Sequence, residues 1–436
     1  MSQGISKREL LIAMFREALK RVDPYRLILS EAGRIRERIA AGGVRDVYVA
    51  GFGKASYPMA LGLEEGLGDL IREGIIITKD GHLPRENRLR QIRACEASHP
   101  VPDERAVSAT RKILELADDL DEDDLLICLT SGGGSALFVS PYEGLRLKEK
   151  QDITDLLLRA GAEISELNAV RKHLSAVKGG RFAERVAPAG IINLIISDVI
   201  GDALDVIASG PTAPDPTSYD DALKVLEKYN LMEKAPPGML DFLKKGSGGE
   251  YPETPGPDAA FFDSVKNILV GTNRKALEGA ADAARQIGYD TEILTDRLSG
   301  EVRDAAAWLF EVASRYIEKG GRPVCLISGG ETTVKVTGKG KGGRNMELAL
   351  TFALLIEGRE GITLLSAGTD GTDGPTDAAG AIVDGDSISR GRMRGLDARD
   401  FLERNDSYNF FRETGDLLIT GPTGTNVMDI QILIIQ

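Results

Sequence analysis

At 436 residues the chain exceeds what one ordinary core supports, so length argues for two domains. Hydrophobic residues at 42% and charged residues at 28% are the balance of a soluble globular protein. A formal net charge of −13 excludes a general nucleic-acid binder and makes every basic residue inside a glycine-rich turn informative. No stretch approaches the ~20 apolar residues of a membrane span. The opening run Lys7–Phe15 breaks into charge at Arg16-Glu17 and lacks a leader's apolar core and cleavage site, so the expected location is the cytoplasm. Cys95, Cys128 and Cys325 form no CxxC pair, and the last two sit in apolar runs, as buried reduced thiols do.

Residues 7–39 read as two amphipathic helices broken at Pro24. A short strand at Arg45–Ala50 runs into Gly51-Phe52-Gly53-Lys54 and a helix to Leu67. A second strand is expected at Gly74–Thr78, a helix at Asp103–Asp118, and a third strand at Leu125–Leu129, ending in Ser131-Gly132-Gly133-Gly134-Ser135. Helices follow near Leu145–Leu158 and over Glu166–Arg185, then a buried strand at Ile191–Ile196 that ends in Ser197-Asp198-Val199-Ile200-Gly201-Asp202. Apolar strands alternating with helices imply α/β architecture with mainly parallel sheets covered by helices. The Gly- and Pro-rich stretch 246–257 reads as a linker, dividing the chain into domains 1–245 and 258–436.

The pattern then restarts. Strands are expected at Ile268–Val270, Thr291–Thr295, Val324–Ile327, Thr333–Thr337 and Ile362–Leu365. Helices are expected up to Ile287, over Gly300–Lys319 and over Met346–Ile356. The stretch Gly415–Asp429 reads as a glycine turn between strands, and the last strands are free to pack back on the first domain. Cys128–Gly133 echoes Cys325–Gly330, which either a duplication or shared turn chemistry explains.

Nearly all the glycine turns fall at strand ends, where open α/β sheets bind ligands. Two dominate. Lys341-Gly342-Gly343-Arg344-Asn345 carries fixed positive charge at the mouth of a helix, a place that holds anions. Ser366–Gly374 carries Asp370 and Asp373, which suit a divalent cation, as do Asp198 and Asp202. Lys54 opens a helix, where the dipole disfavours a cation, so stability does not explain it. The P-loop spacing is missing around it, because Ala55 stands where Ser or Thr is needed. Gly338–Gly343 matches G-x-G-x-x-G, but no acidic strand end follows to hold a ribose, so it reads as a phosphate or carboxylate clamp. Arg171, Lys172, His173, Lys178 and Arg181 form a basic cluster, with Arg171 and Lys178 expected to share one helix face. His82, His99 and His173 make no zinc pattern, and Ser135 sits in no nucleophile elbow.

Taken in order, Ser131–Ala136, Asn168–Gly180, Ser197–Asp202 with Ala208–Thr212, Gly342–Asn345, Gly368–Gly380 and Gly421–Asn426 resemble the class II glycerate kinases, whose C-terminal part is the MOFRL domain. The resemblance spans essentially the whole chain. It implies a Rossmann-like N-terminal domain, a second α/β domain and an active site in the cleft between them. It also implies transfer of phosphate from ATP, with Mg²⁺ or another divalent metal, to D-glycerate, giving 2-phosphoglycerate, by a monomer or homodimer. Lys54 and Arg344 correspond to the family's catalytic pair. Ser131, Gly132, Gly133, Gly134, Ser135, Arg171, Lys178, Gly342, Gly343 and Asn345 are then expected to bind substrate or phosphate, and Asp198, Asp202, Asp370 and Asp373 the metal. Ala203, Met346 and Met428 depart from residues common in the family. The alternative reading is an NAD(P)H-dependent hydroxypyruvate reductase, which the G-x-G-x-x-G match would suit.

Overall fold

The structure, a computed structural model, describes residues 6–320 and 322–436. The chain divides into two compact units, Pro24–Val270 and a second made of Met1–Asp23 with Gly271–Gln436. The first is therefore inserted into the second.

The inserted unit is built on β1 (Val47–Phe52), β2 (Ile71–Lys79), β3 (Ile92–Ala97), β4 (Leu125–Thr130), β5 (Gly190–Ile196) and β6 (Val265–Gly271). Their order in the sheet is β3-β2-β1-β4-β5-β6, with parallel registers from β3 through β5. This is the doubly wound order whose direction reverses between β1 and β4, leaving a crevice beyond their carboxyl ends. β1 and β4 are buried at every position, which is why their sequences read as unbroken apolar runs rather than alternating ones. Against one face, Phe52 stacks on Phe138 at a centroid distance of 4.2 Å, and Phe182 meets Phe138 edge-on at 4.9 Å. Asp103 caps the helix Glu104–Asp118 by accepting from the Ala106 N–H. The helices Leu147–Arg159, Ile164–His173, Tyr219–Lys228 and Pro237–Ser247 share a further apolar cluster around Tyr219, Leu226 and Phe242.

The second unit holds β7 (Asp290–Leu298), β8 (Val324–Gly330), β9 (Ile362–Gly368), β10 (Gly380–Asp384), β11 (Leu417–Leu418) and β12 (Asp429–Ile435) in the order β11-β10-β9-β12-β8-β7. Only β7 and β8 run parallel here. β12 lies between β8 and β9 and is antiparallel to both, and β10 pairs antiparallel with β9 and β11. The expected parallel pairing thus holds in the inserted unit, and the second sheet is mixed. The helix Lys7–Arg21 packs on Asn273–Gln286, where Gly279 lets the backbone of Glu17 and Ala18 come close.

Several boundaries differ from the sequence reading. Residues 246–257 are not a linker. Glu253 accepts from the Tyr219 N–H and contacts His173 Nε2 at 3.0 Å, Thr254 donates to Asp215, and Arg181 donates to the Pro252 carbonyl, so polar side chains anchor the segment inside the inserted unit. The division falls at 23/24 and 270/271 instead of near 250, and the first helix belongs with the C-terminal residues. The expected helix Glu166–Arg185 is two helices, Ile164–His173 and Arg181–Val186, because Gly179 and Gly180 take positive φ values of 57° and 83°. Lys178 therefore shares no helix face with Arg171. Thr333–Thr337 forms only an isolated bridge, Thr333 to Glu301. The last strands, β11 and β12, belong to the second sheet.

Candidate active site

β1 and β4 deliver their glycine turns to the two sides of the point where strand order reverses. The Lys54 N–H donates to the Gly132 carbonyl at 2.8 Å, and the Ala55 N–H donates to Ser131 Oγ at 3.0 Å, so the two turns are stitched together. The Lys54 carbonyl accepts from Thr78 Oγ1 and faces His82 Nδ1 at 3.0 Å. Only its ammonium takes no part in this frame. Gly132 must be glycine because a methyl there would collide with the Asp198 carboxylate at the end of β5, and Gly133 because its φ is +85°. The His99 ring and the Lys54 side chain flank Gly133 together. Burial, with Lys54 and Lys79 near, pushes His99 down to about 4, so its imidazole is neutral near pH 7.

A cavity of about 610 Å³ opens beside this turn. Gly133, Ser135, Arg171 and Lys178, all predicted, line it together with His99 and Lys150. The other members of the basic cluster serve the fold. Lys172 pairs with Asp205 at 3.1 Å and Asp215 at 3.3 Å. Arg181 donates to Ser175 O, Tyr219 Oη and Pro252 O and covers the Tyr142 ring. Ser131 is occupied by the Ala55 N–H, and Gly134 packs against Ala208 and Phe52. Sequence reasoning missed Lys150. Its signal was a lysine on an apolar stripe, three residues from both Leu147 and Ile153.

The second unit gathers its polar residues at the ends of β8 and β9 and the start of β12. Arg344, first residue of the helix Arg344–Leu355, donates a two-pronged bond to Asp429 (2.6 and 3.0 Å) and a third bond to Glu331 at 2.6 Å. Asp429 itself was not predicted. The anion that this helix start receives is the protein's own Asp373, which accepts from the Asn345 N–H at 3.1 Å and the Met346 N–H at 2.8 Å. A methyl at Gly343 would collide with that carboxylate. Of the expected phosphate clamp at Gly342, Gly343 and Asn345, the Asn345 amide is therefore already taken by Asp373. Asn345 instead accepts from Ser366 Oγ at 2.8 Å. Burial pushes Asp373 up to about 7, with Asp429 adding to the effect. Asp370 accepts from the N–H and hydroxyl of Thr372, closing its own turn. Among the described residues no three His, Cys, Asp or Glu side chains converge as a metal site, and no helix is long and apolar enough to cross a membrane.

Residues 10–244 match the family described as Domain of unknown function (DUF4147), and residues 324–429 match the MOFRL family. The first match alone spans more than half the chain, and the pair defines a two-part class of α/β proteins. The chain belongs to that class, the MOFRL-containing glycerate kinase family. It is 44% identical over 430 residues to D-glycerate 2-kinase of Thermotoga maritima, covering 98% of each chain. It is 41% identical over 437 residues to glycerate 2-kinase of Pyrococcus horikoshii, covering 98% of this chain and 97% of that one. The crystal structure of glycerate kinase from Thermotoga maritima matches with a TM-score of 0.87, covering 98% of this chain and 99% of that one.

Proposed function

We propose that this enzyme transfers a phosphoryl group from ATP to D-glycerate and releases 2-phosphoglycerate. One observation carries the reading beyond the family likeness. The switch-point edge gathers the cations Lys54, Lys150, Arg171 and Lys178 around the Gly133 turn and the cavity beside it, where two anionic substrates must be held. Phosphoryl transfer asks a protein for positioning and charge neutralisation more than for covalent chemistry. The Lys54 ammonium, standing clear of the hydrogen-bonded turn, would neutralise charge on the moving phosphoryl group. The closed, stitched turns at Gly132 and Gly133 would fix its position. Neutral His99 would serve as a hydrogen-bond partner rather than a further cation. The reductase alternative loses its motif, because the helix start after Gly338–Gly343 is filled by Asp373 and the turn packs on Arg404, Asp406 and Ser407. Incubation with ATP, Mg²⁺ and D-glycerate should give 2-phosphoglycerate by phosphorus NMR. A product phosphorylated at the 3-position, or none, would refute the assignment.

The residues fit a divalent metal best at the end of β5. Asp202 Oδ1 is buried without a partner among the described residues, which a hard cation would satisfy, and Asp198 belongs to the same turn. Asp370 and Asp373 have oxygens engaged by the protein. When bound, Mg²⁺ would offset nucleotide phosphate charge. Asp202→Asn should therefore raise the Mg²⁺ concentration for half-maximal activity by roughly 10-fold, the order expected for weakening one ligand, while Asp370→Asn leaves it unchanged. Equal metal titrations in both variants would remove Asp202 from this role.

A further inference from the structure

The helix Leu147–Arg159 points Lys150 from its apolar stripe into the cavity, with 7% of the residue exposed. Its Nζ has no hydrogen-bond partner among the described residues. A buried ammonium in that state has lost its water and gained nothing, so it destabilises the fold that holds it. Lys178, also buried, donates among the described residues only to the Ala208 carbonyl, at 3.2 Å. Arg171 completes the set and joins no ion pair among the described residues. The carboxylates on the same wall are committed elsewhere, Asp152 to Lys148 at 2.7 Å and Asp155 to Arg159 at 2.9 Å. The fold does supply counter-ions to cations it keeps for structure, as Lys172 shows with Asp205 and Asp215.

We propose that Lys150, Arg171 and Lys178 form an oxyanion seat, built to receive a carboxylate or phosphate group of the substrates. The proposal rests on the glycerate kinase reading and adds Lys150 to it. A bound oxyanion supplies the counter-ion that none of the three cations has among the described residues, in a pocket where charge-assisted bonds are strong. The charged groups facing Lys150 are Arg171, Arg181 and Lys178, with Asp152 and Asp155 already paired. Burial, helped by Arg171 and Arg181, pushes Lys150 down to about 7. An arriving anion reverses that shift, so the seat takes up a proton as it fills at pH 8.

Lys150→Met keeps the chain length and removes the charge. The KM for D-glycerate or the KM for ATP should rise roughly 10- to 100-fold, the loss of one charge-assisted bond. A rise for D-glycerate identifies the seated group as its carboxylate, and a rise for ATP identifies it as a phosphate. The melting temperature should hold or increase, since an unpartnered charge is gone, whereas a structural lysine would leave a less stable protein. A second measurement needs no variant. Calorimetric titration of the wild-type enzyme at pH 8 with D-glycerate, and separately with inorganic phosphate, in buffers of different ionisation heat, should show proton uptake with at least one of them. KM values within twofold of wild type for both substrates, or no proton uptake with either ligand, overturns the seat. Wild-type turnover measured alongside keeps the two ideas separable, since an active enzyme with no seat leaves the kinase reading intact.

Discussion

Lys54→Ala is expected to fold with an unchanged melting temperature and to lose roughly 10²- to 10³-fold in kcat, the range seen when one preorganised charge donor is removed. The separation of the two effects follows from how the residue is used. Its N–H and carbonyl tie the β1 turn to Gly132 and Thr78, and alanine keeps both bonds. Its ammonium forms no hydrogen bond or ion pair with the described residues, so nothing structural is lost with it. A coupled assay for ADP formation with thermal unfolding followed by circular dichroism tests both halves. Near-native kcat would place the charge that drives the reaction elsewhere.

Arg344→Ala should behave differently, losing stability and turnover together. Asp429 keeps 1% of its side chain exposed and depends on the Arg344 fork. Removing one partner of a buried pair strands the other, at a cost of roughly 3 kcal/mol or more. Burial already raises Asp429, and without the guanidinium it rises further. A carboxyl whose folded pKa lies above its unfolded value binds more protons when folded, so the variant should regain stability as pH falls from that raised value toward 4. Arg344→Ala/Asp429→Asn removes the stranded charge and should recover most of the melting temperature. Its kcat should stay roughly 10²-fold low, because the positive charge offered to substrate is still missing. Arg344→Lys should also be poor, since a single ammonium cannot hold both Asp429 oxygens and Glu331. If the double variant regains wild-type kcat, Arg344 serves only to neutralise Asp429.

The legible parts of this fold were those set by continuous apolar runs. β1, β4 and β5 are buried on both faces, so Val47–Phe52, Leu125–Thr130 and Ile191–Ile196 announce themselves without reference to neighbours. β3 was missed because Ile92-Arg93-Ala94-Cys95-Glu96-Ala97 is an edge strand, half exposed and weakly patterned. The break between Arg171 and Arg181 was missed because the polar and apolar spacing runs on through it, whereas the first helix finishes at His173 and Gly179-Gly180 take a left-handed backbone before the second begins. In the site, turn residues such as Gly133 and Lys54 were visible from local sequence. Lys150 was not, because an unpartnered lysine is defined by what fails to surround it. The helix start beside Gly343 was hidden for the opposite reason. Asp373, thirty residues downstream, fills it, and no local pattern reports a long-range cap.

The position of β12 bears on how the polypeptide is made. Every other strand of the second sheet is synthesised before it, yet it sits between β8 and β9 and is hydrogen-bonded to both. Until residues 429–435 exist, those two strands face a gap with open edges, and such edges are templates for pairing with the wrong chain. The inserted unit has no such debt, since its whole sheet is complete once Gly271 has emerged. Vectorial synthesis therefore lets that unit fold early and leaves the other, whose helix Lys7–Arg21 is made before the inserted unit, waiting longest. The nascent chain is most exposed to misassembly in the interval between the making of Gly368 and Asp429.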